Sequence, residues 1–245
     1  MSDTHDLYRN YSENFAEAKR FRPELQFGLF EQLYALFLSK LDHHARIADV
    51  GCGKGEWLLW LKEKGFRSLE GFDFSEEDLS YLRKSAPEMV THAGNAIELL
   101  KDRTEEFDVV HAKDLIEHLP KANVLEFLKV AEKALKPGGE LWILTFNAQS
   151  PFSTATRYGD FTHESGFTPM SMVQVLRSTG FESFIVKGVH VCPKGIKGRV
   201  RVFIGSIVYG FSRFLIALRH GSSTSIEGVD LYTAKPDLWI VAKKR

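Results

Sequence analysis

The stretch Arg46-Ile47-Ala48-Asp49-Val50-Gly51-Cys52-Gly53-Lys54-Gly55-Glu56-Trp57 decides how this chain is read. An apolar run stops at Asp49, breaks into the alternating glycines Gly51, Gly53 and Gly55, and resumes in helix-forming residues. A strand that passes through such a turn into a helix brings bare backbone beside a ligand, because no Cβ blocks the approach. The turn therefore predicts a nucleotide-like cofactor at the end of the first strand.

Spacing narrows the choice. A dinucleotide site takes G-x-G-x-x-G, with its pyrophosphate on the helix N-terminus, and here the last glycine position is Glu56. A carboxylate repels a diphosphate, whereas a ligand with a cationic amino-acid end and an uncharged adenosine tolerates Asp49 and Glu56 nearby. S-adenosylmethionine is such a ligand. The next run, Ser68 to Phe74, carries Asp73 at the interval expected for an acid that reaches both ribose hydroxyls. The competing use of Asp73 is to cap the helix that opens near Ser75, where Ser75 and Asp78 have capping-box spacing.

With these segments in hand the chain resembles a class I S-adenosylmethionine-dependent methyltransferase. Asp49 to Gly55 resembles that family's first motif, Gly71 to Ser75 its ribose segment, and Gly94-Asn95-Ala96 the segment beside the adenine. Phe107 to Leu119 resembles its fourth strand and following loop, and Leu135 to Ile143 its helix end, turn and fifth strand. The resemblance implies a Rossmann-like α/β fold: a mostly parallel seven-stranded sheet with helices on both faces and an antiparallel final strand. It implies S-adenosyl-L-methionine as cofactor and S-adenosyl-L-homocysteine as product. The residues it implies at the cofactor are Asp49, Gly51, Gly53, Asp73, Phe74, Asn95, Ala96 and Lys113. Asn95 stands where the family often has Asp, a departure at the position that contacts the adenine amine.

Bulk properties fit one soluble enzyme domain spanning 1–245. Lys plus Arg and Asp plus Glu both number 32, which argues against a polyanion-binding surface and hence against nucleic acid. Cys52 and Cys192 offer neither a disulfide framework nor metal spacing, and the N-terminus lacks a basic and apolar leader, so the expected location is cytoplasmic.

Residues 46–150 read as the cofactor-binding core, with strands at 46–50, 68–72, 88–91, 107–111 and 139–146. Helices fall at 55–64, 76–84, near 96–102 and at 121–136. Such alternation demands a parallel sheet covered on both faces, with ligands at the carboxyl ends of the strands. Asp49, Asp73, Asn95, Ala112 and Asn147 all fall there. Ahead of the core, residues 1–40 read as a helical cap, with an apolar helix from Leu25 to Leu38. Tyr8 to Tyr11 and Arg20 to Arg22 resemble a mobile cap, with Arg22 placed to meet the cofactor carboxylate and Tyr11 the acceptor.

Residues 151–169 form a polar, aromatic loop where this fold places its acceptor, and long loops inside compact domains are usually functional. Thr168 and Pro169 then open a helix that Gly180 ends. Within the loop, Arg157 to Glu164 with Phe167-Thr168-Pro169 resembles a subgroup of these enzymes associated with polysaccharide and lipopolysaccharide biosynthesis. Methyl transfer to a hydroxyl needs a base, and histidine suits this near neutral pH. His163 is the favoured base, oriented by Asp160 or Glu164, with His118 second and His111 a distant third; Arg157 and Tyr158 are placed to hold the acceptor. Asp160, His163 and Glu164 are also metal-ligand types, but no metal is assigned.

The remaining feature is an insertion, 192–236, between two final strands at 182–190 and 238–243. Val200 to Leu218 reads as a helix with Phe203, Ile204, Ile207, Val208, Phe211, Phe214, Leu215 and Leu218 on one face and basic residues at both ends. It predicts an in-plane helix at an anionic membrane surface, with a homodimer contact or a lid over the acceptor as the alternatives. The expected function is O-methylation of a saccharide or glycolipid-linked acceptor, by a protein that is cytoplasmic or peripheral at the inner face of the membrane. The runner-up is methylation of a small aromatic or lipid-like metabolite, as in quinone biosynthesis. A cofactor-binding assembly partner without activity fits less well with intact Asp49, Gly51, Gly53 and Asp73.

Overall fold

The computed structural model describes residues 23–191, 195–220 and 225–245. Tyr11, Arg22 and the expected cap over 1–22 lie outside the described residues, as does Cys192. The chain opens with helix α1 (Pro23–Leu38), then β1 (Arg46–Val50), α2 (Glu56–Glu63), β2 (Ser68–Asp73), α3 (Glu76–Ser85), β3 (Val90–Ala93) and α4 (Ala96–Leu100). It continues through β4 (Phe107–Lys113), α5 (Lys121–Ala134), β5 (Leu135–Phe146), α6 (Ser153–Gly159), α7 (Pro169–Ser178), β6 (Ser183–Val189), α8 (Ile196–His220) and β7 (Asp237–Lys243).

The seven strands form one sheet in the order β3-β2-β1-β4-β5-β7-β6. All neighbours are parallel except β7, which runs antiparallel to both β5 and β6. The order reverses direction at β1, so right-handed crossovers place helices on both faces and leave a crevice at the carboxyl ends of β1 and β4. Two cores result. On one face Tyr34, Trp57, Trp60, Leu61, Leu79 and Leu82 pack with Ile47, and on the other Phe127, Leu128, Met172 and Leu176 pack with Ala48 and Val50. The alternation along β1 follows from side chains that point to opposite faces with period two.

Several boundaries differ from the sequence reading. β3 begins at Val90 instead of 88, because Met89 closes a turn by donating its N–H to Ala86 at 3.0 Å, and Glu88 faces outward to Lys62. β5 begins at Leu135, ahead of the Pro-Gly-Gly turn, because Leu135 pairs with Phe107 and a register shift after Phe107 absorbs the extra residues. The segment 151–169 is not loop throughout, since α6 occupies part of it. The insertion helix is longer than read, at Ile196–His220, and Val208 turns half-inward. Thr168 does open α7, in a reciprocal capping box with Ser171.

Candidate active site

The glycine turn after β1 lies where the strand order reverses. A Cβ on Gly55, whose φ is +80°, would stand 2.5 Å from a methyl carbon of Leu82, so this glycine lets α2 and α3 approach closely. A Cβ on Gly53 would meet nothing within 4 Å, so its backbone borders open space. Asp73 ties that turn to the end of β2, accepting the Gly53 N–H at 2.7 Å and the Ser75 N–H at 2.8 Å. Burial pushes its carboxyl up, against the pull of those two donors. Ser75 caps α3 itself by accepting the Asp78 N–H at 3.1 Å. Phe74 is about half exposed beside it. Asn95 caps α4, its oxygen accepting from Ile97 at 2.9 Å and Glu98 at 3.3 Å, and Ala96 opens the helix.

The surroundings are acidic. Burial raises the Glu56 carboxyl, and burial together with Asp49 and Asp73 holds the Cys52 thiol well above its ordinary range. Lys113 bonds to Asp114; desolvation opposes its charge, yet Asp114, Glu117 and Asp49 outweigh it and hold the ammonium protonated. The charges of Asp49, Asp73 and Glu56 around Cys52, next to the open Gly53 backbone, suit a cationic ligand and repel a diphosphate.

Asp49 faces inward. Its carboxylate lies 2.7 Å from Nδ1 of His111, whose Nε2 lies 2.9 Å from the Tyr34 hydroxyl. His111 is fully buried and stacked on Trp57 at 3.8 Å, which corrects its reading as a third candidate base: it holds α1 to the cofactor turn. Burial, with Asp49 and Asp114 adding to it, pushes the Tyr34 phenol well up.

Beyond β4 the crevice is built from side chains that hold one another. The Glu117 carbonyl accepts the N–H groups of Glu164 at 2.8 Å and Ser165 at 2.9 Å, laying the acceptor segment across the strand end. The Glu117 carboxyl is buried, accepts the Thr145 hydroxyl at 3.0 Å, and is pushed up to about 8 by burial and then by Asp114. The rings of His118 and His163 lie 4.7 Å apart, and Phe146 stacks on His163 at 5.3 Å.

The hydrogen bonds fix which ring nitrogens carry protons. Thr162 donates its hydroxyl proton to Asp160 at 2.6 Å, so it accepts from Nδ1–H of His118 at 2.9 Å. His163 donates Nδ1–H to the Thr156 carbonyl at 3.0 Å. In their neutral forms both imidazoles therefore present Nε2 as the acceptor nitrogen. The Asp160 carboxylate acts on His118 through Thr162, while its carbonyl accepts the His163 N–H at 3.2 Å, and Glu164 meets Glu117 and Arg157 through its backbone. Arg157 donates to the Glu164 carbonyl at 3.1 Å and lies over the ring of Tyr158, which is exposed.

Metal-ligand geometry falls on Glu117, His118 and His163, whose ligand atoms lie within 4.8 Å of one another, and not on Asp160, His163 and Glu164. Asn147 is structural: its amide donates to the carbonyls of Thr233 and Lys235 at 3.0 and 2.9 Å. Sequence reasoning missed Glu117, Thr162 and Asp237. Asp237 opens β7 opposite Phe146, and burial, with Asp114, pushes its carboxyl up to about 6. The signals present were the adjacent Glu117-His118 pair and the D-x-T spacing of Asp160 and Thr162.

A sheet of this order, with a glycine turn after β1 bound to an acid at the end of β2, defines a class I S-adenosylmethionine-dependent methyltransferase. The chain belongs to the methyltransferase-domain family, which it matches over residues 20–184. A ubiquinone biosynthesis O-methyltransferase of Idiomarina loihiensis is 26% identical over 199 residues, covering 73% of this chain and 80% of that protein. Another of the same name, from Coxiella burnetii, is 25% identical over 166 residues, covering 60% of this chain and 68% of that one. The crystal structure of a SAM-dependent methyltransferase from Archaeoglobus fulgidus matches with a TM-score of 0.69 at 22% identity, covering 96% of this chain and all of that one. The protein is an enzyme that uses S-adenosyl-L-methionine. The resemblance of 157–169 to polysaccharide-associated enzymes finds no support in these relatives.

Proposed function

We propose that this methyltransferase transfers methyl to a hydroxyl of a small aromatic or lipid-like acceptor. The observation that carries the reading is the pair His118 and His163 at the acceptor crevice, each with Nδ1 held as a donor and Nε2 basic. The names of the ubiquinone-pathway relatives support the same class of acceptor over a glycan.

Bound S-adenosylmethionine supplies a methyl on a sulfonium, open to in-line displacement. Asp73 would receive the ribose hydroxyls on oxygens already positioned by two backbone donors. The Gly51 and Gly53 backbone would line the amino-acid end, with Asp49 bracing that turn through His111, Phe74, Asn95 and Ala96 would line the adenine end, and Lys113 would balance the cofactor carboxylate. His163 takes the acceptor proton on Nε2, and the Thr156 carbonyl steadies the resulting imidazolium. His118, set by Thr162 and Asp160, positions the hydroxyl, while Arg157 and Tyr158 hold the acceptor body. The place of action is the cytoplasm, at the inner face of a membrane.

A second reading rests on the closeness of Glu117, His118 and His163: those three would hold a divalent cation, which lowers the pKa of a hydroxyl it binds. The acceptor class is tested by incubating the enzyme with radiolabelled cofactor and a fractionated cell extract. Label in the organic-extractable small-molecule pool is the expected result. Label in the glycan or glycolipid pool overturns it and returns the acceptor to a saccharide.

A further inference from the structure

Among the described residues, nothing covers the apolar face of helix α8. Ile196, Phe203, Ile207, Phe211, Phe214 and Leu218 recur at spacings of seven, four and three residues and are 57–75% exposed. A stripe this large and continuous on a folded protein marks a contact surface. The opposite face is fastened to the body. Tyr209 packs edge-on against His190 at 5.1 Å and Phe152 at 6.2 Å, and Arg213 pairs with Asp230 at 2.5 Å.

Charge selects the occupant. The helix contains Lys197, Arg199, Arg201, Arg213 and Arg219 and no acidic residue. At 3.6 residues per turn, Lys197, Arg201 and Arg219 fall on one margin of the stripe and Arg199 on the other, while Arg213 turns to Asp230. Two copies packed stripe to stripe, in either direction, would bring Lys197, Arg199, Arg201 and Arg219 of one copy against the like charges of the other, Arg213 being balanced by Asp230, and a two-fold contact repeats that conflict twice. The stripe points away from the crevice, so it is not a lid. By length and composition α8 is apolar enough to cross a membrane, but crossing would strip Tyr209 and Arg213 from the body and immerse Arg201 and Arg213 in hydrocarbon.

We propose that α8 docks in plane on an anionic phospholipid bilayer, its apolar stripe in the acyl boundary and its marginal cations among the headgroups. Because Phe152 of the acceptor segment packs on Tyr209, docking sets the lip of the acceptor crevice beside the headgroup layer. An acceptor with an apolar tail then reaches the site from the bilayer; this consequence rests on the lipid-like acceptor proposed above, while the docking itself does not.

Sedimentation of the full chain with phosphatidylcholine vesicles, or with an equal mixture of phosphatidylcholine and phosphatidylglycerol, tests the docking without any acceptor present. The wild type is expected to pellet with the mixed vesicles and stay in the supernatant with phosphatidylcholine alone. The double variant F203D/F211D is expected to lose binding, with S-adenosylhomocysteine affinity unchanged as proof of folding. Arg201→Ala and Arg219→Ala are each expected to weaken binding about fivefold, from roughly 1 kcal/mol per cation near the surface. A wild type that does not bind the mixed vesicles overturns the proposal. So does a wild type that is dimeric in solution, becomes monomeric in F203D/F211D, and binds vesicles no differently from that variant.

Discussion

From Asp49 to Asn95 the crevice is lined by backbone groups whose places are set by the sheet, whereas from Lys113 to Asp237 it is lined by side chains whose places are set by one another. In the first region Asp73 and Asn95 each accept two backbone N–H groups, and Gly55 holds α2 against α3. Loss of one side chain there leaves the strands, and so the ligand's other contacts, in position. In the second region Asp160 holds Thr162, Thr162 holds His118, and His163 lies between His118 and Phe146. Groups linked in this way fail together, so a substitution in the acceptor region costs more than its own hydrogen bond. On the function proposed above, a cofactor shared by many reactions suits the first kind of construction, and an acceptor particular to one enzyme suits the second.

The contrast predicts its largest effect at His163. Replacement by Ala should lower kcat by about a hundredfold or more, as for loss of a general base, and leave S-adenosylhomocysteine affinity unchanged. Single-turnover kinetics and calorimetry on the same preparation separate the two. Near-normal turnover removes His163 as the base. If a chelator then abolishes activity and magnesium restores it, the cation reading of Glu117, His118 and His163 takes its place.

Asp73→Ala probes the other region. The expected result is S-adenosylhomocysteine binding weaker by roughly tenfold to a hundredfold, from about 1.5–3 kcal/mol for hydrogen bonds to a charged group. Because β2 and the glycine turn persist, the residual kcat at saturating cofactor should stay within about threefold of wild type, on the logic of uniform binding. A collapse of kcat would mean that the cofactor region is as interdependent as the acceptor region.

The same contrast explains what was legible in the sequence. The glycine turn, Asp73 and the strand alternation follow from local rules of backbone conformation and period, so they could be read from 46–113 without neighbours. Thr168-Pro169 was legible for the same reason, since a cap is a local event. The Asp160-Thr162-His118 chain was not, because it joins residues 44 apart in sequence, and the eye pairs Asp160 with the nearer His163. His111 was misjudged because a histidine in a strand shows only its chemistry, and its partners Asp49 and Tyr34 come from β1 and α1. The periodicity of α8 disclosed an apolar stripe but not that the stripe faces solvent, which depends on where Tyr209 and Arg213 find partners.

The smallest effect tests whether the acceptor region is one electrostatic unit. Asp237 titrates at about 6 against an ordinary 3.8, because burial and then the charge of Asp114 disfavour its ionised form, with Lys113 offsetting part of this. The folded state therefore binds more protons than the unfolded state between those values, and its stability falls as pH rises through that window and levels above it. Asn cannot ionise, so Asp237→Asn should match wild type at the acid end and exceed it at neutral pH. After allowance for partial solvent screening the gain is on the order of 1–2 kcal/mol. Urea denaturation of both proteins across the window reads the difference, since carboxyls remote from Asp237 titrate alike in each and cancel. A difference that does not change with pH would mean that Asp237 ionises without resistance. The side chains at the end of β7 would then be electrically separate from Lys113 and Asp114, and the acceptor region would be bound together by its hydrogen bonds alone.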